Sequence, residues 1–467
     1  MLAALTPQVA RADAIDALAP GTWLELPDTA MRTVCPPDSP QYEWSFYCQN
    51  VILAWGGAAL DTTRGRMVLF GGGHGDYRGN EVYVFDLQSL QWSRIWGPTP
   101  DDQIPSGGTH EVYDDGNPGS RHTYSGLTYL PPPHDALVSM GGALWQSGGF
   151  AVGTWSFSFD ANGWSRRADG PAEQGFGDPS VFDPLTGHVF RRANSGMLEY
   201  DPATDAFTSR APSDGGWWAA NVAAALDPDA RLMVIIGEGR LDTYDLAADV
   251  YTVDVPIAGT DVTTLFGGGS PGIDFDPVQQ RFIVWGGGLD VYTFDPAAAT
   301  FSLLEGAGDD PGTITASGGA FGRFRYAPSR NVFVWIDHVD ANVFVYRSSE
   351  GTGTPPPGDD TTGGGGEGSS GSADADTGAG ADSSGPPPAT TGDAEAGSGE
   401  TGGGSGSGSG GAAIDPAAGG CGCRHGGGAA PWAWLWVAAI ARRRGRGVSR
   451  TARRDVRGRD ATSHDAP

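Results

Sequence analysis

Residues 51–95 read VILAWGGAALDTTRGRMVLFGGGHGDYRGNEVYVFDLQSLQWSRI. Short runs of Val, Ile, Leu, Phe, Tyr and Trp alternate with Gly, Asp and Arg, the pattern of brief strands joined by tight turns. The stretch reads as one unit of four strands. The second covers Met67–Phe70 and runs into a glycine cluster; the third covers Glu81–Phe85 and ends in an aromatic followed by Asp86; Trp92 opens the fourth.

The same landmarks return down the chain. The aromatic–Asp pair recurs as Phe159-Asp160, Tyr200-Asp201, Tyr244-Asp245 and Phe294-Asp295, and the later aromatic as Trp164, Phe207, Tyr251 and Phe301. A turn between first and second strands recurs as Asp183-Pro184, Asp227-Pro228, Asp276-Pro277 and Ala327-Pro328. Proline presets the backbone of such a turn and Asp bonds its far side. A repeated four-stranded unit is the signature of a radial array. The last unit, residues 321–347, offers three strands (GRFRYAP, NVFVWI, NVFVYR), and the missing fourth is found near the N-terminus in GTWLELPDT, where Trp23 takes the place of Trp92. The expected fold is all-β: a six-bladed β-propeller over residues 20–350, closed by an N-terminal strand so that its edges are protected. A seventh blade would require residues 31–50 to hide a degenerate unit.

A strand, a Gly-Gly pair and then spaced aromatics resemble the kelch repeat. Gly71-Gly72 with Tyr83 and Trp92, Gly141-Gly142 with Trp155 and Trp164, and Gly286-Gly287 with Tyr292 and Phe301 carry the likeness; Arg191-Arg192 replaces the glycines in the third unit. The resemblance implies the radial architecture and central channel shared with the galactose-oxidase propeller, and no particular reaction. A copper-radical site of that kind needs a cysteine joined to a tyrosine, whereas the foldable region holds only Cys35 and Cys48, outside the strands. Sialidase boxes, a G-x-S-x-G elbow and an H-E-x-x-H pair are also missing.

Composition divides the chain. Residues 351–420 are almost entirely Gly, Ser, Thr, Asp, Glu, Ala and Pro, too poor in apolar side chains to bury a core, and are expected to form a disordered linker. The net charge is −27, with no lysine. Nucleic-acid binding needs clustered positive charge and is not expected. Cys35 and Cys48 bracket CPPDSPQYEWSFYC. A disulfide is the favoured reading over two buried thiols, and would place the protein in an oxidising compartment. Residues 1–14 read as the remnant of a signal peptide, with Ala12 and Ala14 offering a small-residue cleavage site.

After the linker comes GGCGCRHGGGAAPWAWLWVAAIARRRGRG. Residues 421–447 resemble the C-terminal sorting signal of myxobacteria, with a cysteine motif, a short hydrophobic helix and an arginine cluster. The apolar segment favours a membrane and the arginines hold its end on the cytoplasmic side. The resemblance implies a sorting protease as partner, lipid on Cys421 or Cys423, and anchorage at the outer membrane or cell surface. Residues 448–467 are expected to form a basic, disordered extension.

Two regions are candidates for chemistry. The loop after the second strand of the first unit holds His74, Asp76, Tyr77, Arg78 and Asn80, which with Arg121 and His122 would offer a ligand a base, a carboxylate and cations. The plainer alternative is a tight turn in which His74 and Asp76 bond nearby backbone. The connection 97–120 carries Asp101, Asp102, Glu111, Asp114 and Asp115, oxygen donors suited to calcium but without its regular spacing; a solvated acidic loop is the favoured reading. No metal ligand set and no cofactor are otherwise expected. The expected function is a surface-displayed binding protein whose loops contact a glycan, a peptide or an envelope protein. The alternative is a secreted carbohydrate-active enzyme with its site at one channel mouth.

Overall fold

The computed structural model describes residues 14–354, apart from 172–174, 195, 213–219, 263–264 and 266–268. The leader 1–13, most of the linker, the tail with Cys421 and Cys423, and the extension lie outside the described residues. Among the described residues the strands form six sheets and one two-stranded ribbon; the sheets are antiparallel except for the short parallel strands Ala307–Gly308 and Ala258–Gly259 that border two of them. Blade 1 comprises Ala58–Asp61, Arg66–Phe70, Val82–Asp86 and Gln91–Trp96; blade 2, Leu127–Leu130, Ala136–Ser139, Gly153–Ser158 and Gly163–Asp169. Blade 3 comprises Ser180–Asp183, His188–Ala193, Gly196–Asp201 and Ala206–Pro212; blade 4, Ala223–Asp227, Leu232–Gly237, Arg240–Asp245 and Val250–Thr252. Blade 5 is built on Gly272–Asp276, Arg281–Trp285, Val291–Asp295 and Thr300–Leu304. Blade 6 is built on Phe324–Ala327, Val332–Trp335 and Val343–Arg347, with Thr22–Leu26 as its fourth strand. The first strands of all six blades neighbour one another in cyclic order, and those of blades 6 and 1 close the ring. This is a six-bladed propeller.

The closing strand pairs as its sequence predicted: Trp23 lies opposite Tyr346, as Trp92 lies opposite Phe85. The spaced aromatics are direct cross-strand partners in Tyr200–Phe207, Tyr244–Tyr251 and Phe294–Phe301, where opposed rings stabilise a sheet. Asp86, Asp201, Asp245 and Asp295 then accept backbone N–H groups of the turn that follows. Blade 2 departs from the expected frame: Phe157 faces Trp164, and Phe159 moves two places into the turn, where it receives the Arg66 guanidinium at 4.7 Å.

Side chains of successive residues face opposite neighbours. Met67 and Leu69 pack toward blade 6, whereas Val68 and Phe70 pack toward blade 2. The inner strands of the blades are therefore buried on both faces and read as nearly unbroken apolar runs, whereas outer strands such as Ala206–Pro212 are largely exposed. A hydrophobic cluster fills each of the six interfaces between blades.

Residues 31–50 contain no seventh blade. They form short helical turns at Met31–Val34 and Trp44–Tyr47, continued by Asn50–Leu53, so Val51 is helical and the first strand starts at Ala58. Met31, Trp44 and Cys48 pack against the joint between blades 6 and 1, and a disulfide links Cys35 to Cys48.

Candidate functional site

In antiparallel blades the turns between first and second strands lie at one end of the channel, and the loops between second and third strands at the other. A cavity of about 380 Å³ sits at the first of these ends among Leu60, Tyr129, Phe182, Phe275, Pro184 and Pro228. Its one charged pair, Asp274 and Arg325 at 3.9 Å, is turned on itself, with Asp274 also accepting the Tyr326 N–H. The groups capable of chemistry gather at the opposite, loop-bearing mouth.

Glycine builds that mouth. Gly71 and Gly142 have φ of 110° and 99°, and an added Cβ would stand 2.5 Å from the Arg121 carbonyl and 2.2 Å from the His122 carbonyl respectively. These approaches let Arg121-His122 thread between blades 1 and 2, where it pairs with Ala143–Leu144. The loop of blade 1 curls over it. His74 takes a left-handed φ of 64°, and Asn50 Nδ2 anchors the Asp76 carbonyl at 2.9 Å.

His74, Asp76 and His122 are thereby brought together, their donor atoms all within 4.8 Å of one another. His122 Nε2 lies 2.8 Å from Asp76 Oδ2. His122 is buried, Asp76 half-buried and His74 exposed. Burial pushes the His122 pKa below its ordinary value despite Asp76, so the ring is neutral at pH 7. Trp55 stacks on it at 4.8 Å, and Tyr124 meets it edge-on at 5.9 Å. Tyr124 in turn meets Phe321, so an aromatic row leads from the site across the mouth.

The other expected residues serve the scaffold. Tyr77 is buried and donates to Glu81 Oε1 at 2.5 Å. Arg78 pairs with Asp101 and lies 4.1 Å over the Tyr42 ring. Asn80 donates to Thr99 Oγ1 and the Pro118 carbonyl. Arg121 is buried with its guanidinium 3.1 Å from Glu111. The acidic groups of residues 97–120 are held in separate places: Asp101 by Arg78 and Ser39, Asp115 by Thr99 and Asn117, Glu111 by Arg121 and Trp155. No calcium cluster forms among them. Metal-type ligands do gather at His74, Asp76 and His122, residues that no spacing motif connects. Trp55 and Tyr124 were also missed, although each stands three residues before a blade's first strand, at the mouth.

Glu81 offers a pH test of this architecture. Burial lifts its carboxyl from 4.5 to about 7, opposed in part by the Tyr77 hydroxyl. A folded value above the unfolded one gives stability that is whole below about pH 4.5 and lost as pH rises through about 7, roughly 3 kcal/mol in all. In urea unfolding, wild type should lose about that much relative to Glu81→Gln between about pH 4.5 and about pH 8. Parallel pH profiles for the two proteins would contradict the assignment.

No protein-family model matches this chain, and no curated protein matches it. Function therefore has to be argued from the site's own geometry.

Proposed function

We propose that this chain is an exported, kelch-like propeller that binds its ligand, a glycan, a peptide or a neighbouring envelope protein, at the loop-bearing mouth. The observation that carries this reading is the convergence of His74, Asp76 and His122 beside the half-buried Trp55. A few convergent polar groups next to an aromatic face are what a specific ligand site needs. The Cys35–Cys48 disulfide fits an oxidising compartment. The proposed address is the outer membrane or cell surface: Cys421 and Cys423 would be processed by a sorting protease and lipidated, and the apolar segment would hold the membrane until then. The linker would carry the propeller clear of the surface.

One observation favours the rival reading, a secreted carbohydrate-active enzyme: the neutral His122 paired to Asp76 has the make-up of a general base and its orienting carboxylate. Glycan and peptide arrays probed with the full chain separate the two. Specific binding without product release is expected, weakened about 30-fold by Trp55→Ala, the effect of losing an anchoring tryptophan worth about 2 kcal/mol. Cleaved glycan would establish the enzyme instead, and the absence of any ligand would remove the binding function.

A further inference from the structure

We infer that His74, Asp76 and His122 form a binding site for a divalent transition-metal ion of the zinc class, with its remaining coordination positions open to an oxygen of the ligand. The inference rests on the mouth being the ligand site, and names what makes it selective.

Two imidazoles and one carboxylate are a recurrent ligand set for zinc and related ions, leaving room for an exogenous group. Nitrogen donors argue against calcium and magnesium, which take oxygen. Charge argues the same way. The Arg121 guanidinium is turned to Glu111 at 3.1 Å, and the ion-pair partner of Asp76 is His122. Among the described residues no arginine pairs with the Asp76 carboxylate, while the chain as a whole carries −27 and draws cations toward its surface.

The geometry needs only a small closure. Two ligands bonded to one ion at about 2.1 Å stand at most about 4.2 Å apart, against the present limit of 4.8 Å. His122 and Asp76 already satisfy this at 2.8 Å. His74 is the exposed member, on a glycine-flanked loop. Gly148 from the facing loop of blade 2 borders its ring so closely that an added Cβ would lie 2.3 Å from His74 Nε2. The buried His122 sets the floor of the site and the two accessible ligands its rim. An ion held there presents its open positions to the mouth, where a carboxylate or a pair of sugar hydroxyls can reach it beside Trp55.

The test is zinc titration of the full chain against a chromogenic chelator, with cobalt(II) substitution read by visible absorption. One ion per chain is expected, with a spectrum of nitrogen and oxygen ligation and no thiolate charge-transfer band. His74→Ala and Asp76→Asn should each weaken zinc binding by at least about 100-fold, since loss of even a supporting partner costs 10–100-fold. Both side chains are at least partly exposed, and circular dichroism checks that the variants fold. Cys421→Ser/Cys423→Ser should leave affinity and spectrum unchanged. Absence of zinc binding, binding that survives His74→Ala, or a thiolate band lost in the cysteine variant would overturn the inference. Array binding repeated after chelation keeps the two proposals apart. Ligand binding that needs Trp55 and persists without metal sinks the ion and keeps the mouth. Zinc bound as expected over an empty array keeps the ion and sinks the binding function.

Discussion

Replacing Trp23 by alanine is expected to lower the free energy of unfolding by about 3–5 kcal/mol, the cost of emptying a fully buried tryptophan site. Trp23 is 1% exposed. Its ring lies 4.9 Å from Tyr346 and 5.3 Å from Trp285, and its Nε1 donates to the Leu289 carbonyl at 3.0 Å. It therefore joins blade 5 to a strand contributed from the other end of the chain. The loss falls on ring closure, because Thr22–Leu26 is all that covers the edge of Val343–Arg347. Equilibrium urea unfolding followed by tryptophan fluorescence and by circular dichroism measures it. A loss below about 1 kcal/mol, within the ordinary range for surface substitutions, would mean that the N-terminal strand does not lock the ring.

The second large effect is expected at Arg323. Its guanidinium is wholly buried and donates to the carbonyls of Gly56, Ile336 and Gly319 at 3.0, 2.6 and 2.6 Å, with the Trp335 ring 5.0 Å away. Burial lowers its pKa to about 10, so it stays charged at neutral pH. Arg323→Met keeps much of the apolar volume and strands three buried acceptors. At 1–3 kcal/mol for each unsatisfied group, the total loss is about 4 kcal/mol or more. Gly56 adjoins Trp55, so ligand binding at the mouth should weaken in the same variant. Unchanged stability in urea would show that the three carbonyls find other partners.

The fold was legible because its landmarks answer to local physics. An aromatic opposite an aromatic and an Asp capping the next turn need only neighbours in one blade, and Trp23 could be placed by analogy with Trp92 alone. Phe159 misled because blade 2 keeps the common turn length but sets its paired aromatic at Phe157 and places Ser158 where other blades have Asp, while a second aromatic–Asp pair stands two places on, inside the turn. The site was legible only in part. His74, Asp76 and His122 were singled out, yet no sequence spacing shows that residues 46 positions apart, Asp76 and His122, share a hydrogen bond. Tyr77, Arg78 and Asn80 looked like neighbours of that chemistry. Tyr77 is drawn away by Glu81, and Arg78 and Asn80 by Tyr42, Trp44 and Thr99, partners that appear only once residues 31–50 and 97–120 wrap the blade.

His74, Asp76, His122 and Trp55 converge on one point at the mouth of the channel, and anomalous diffraction at the zinc absorption edge tests that point most directly. Crystals of the full chain grown with zinc should show one strong peak bonded to His74, Asp76 and His122, with an open coordination position facing Trp55. A map with no peak among these three side chains, or with zinc only elsewhere on the acidic surface, would contradict it.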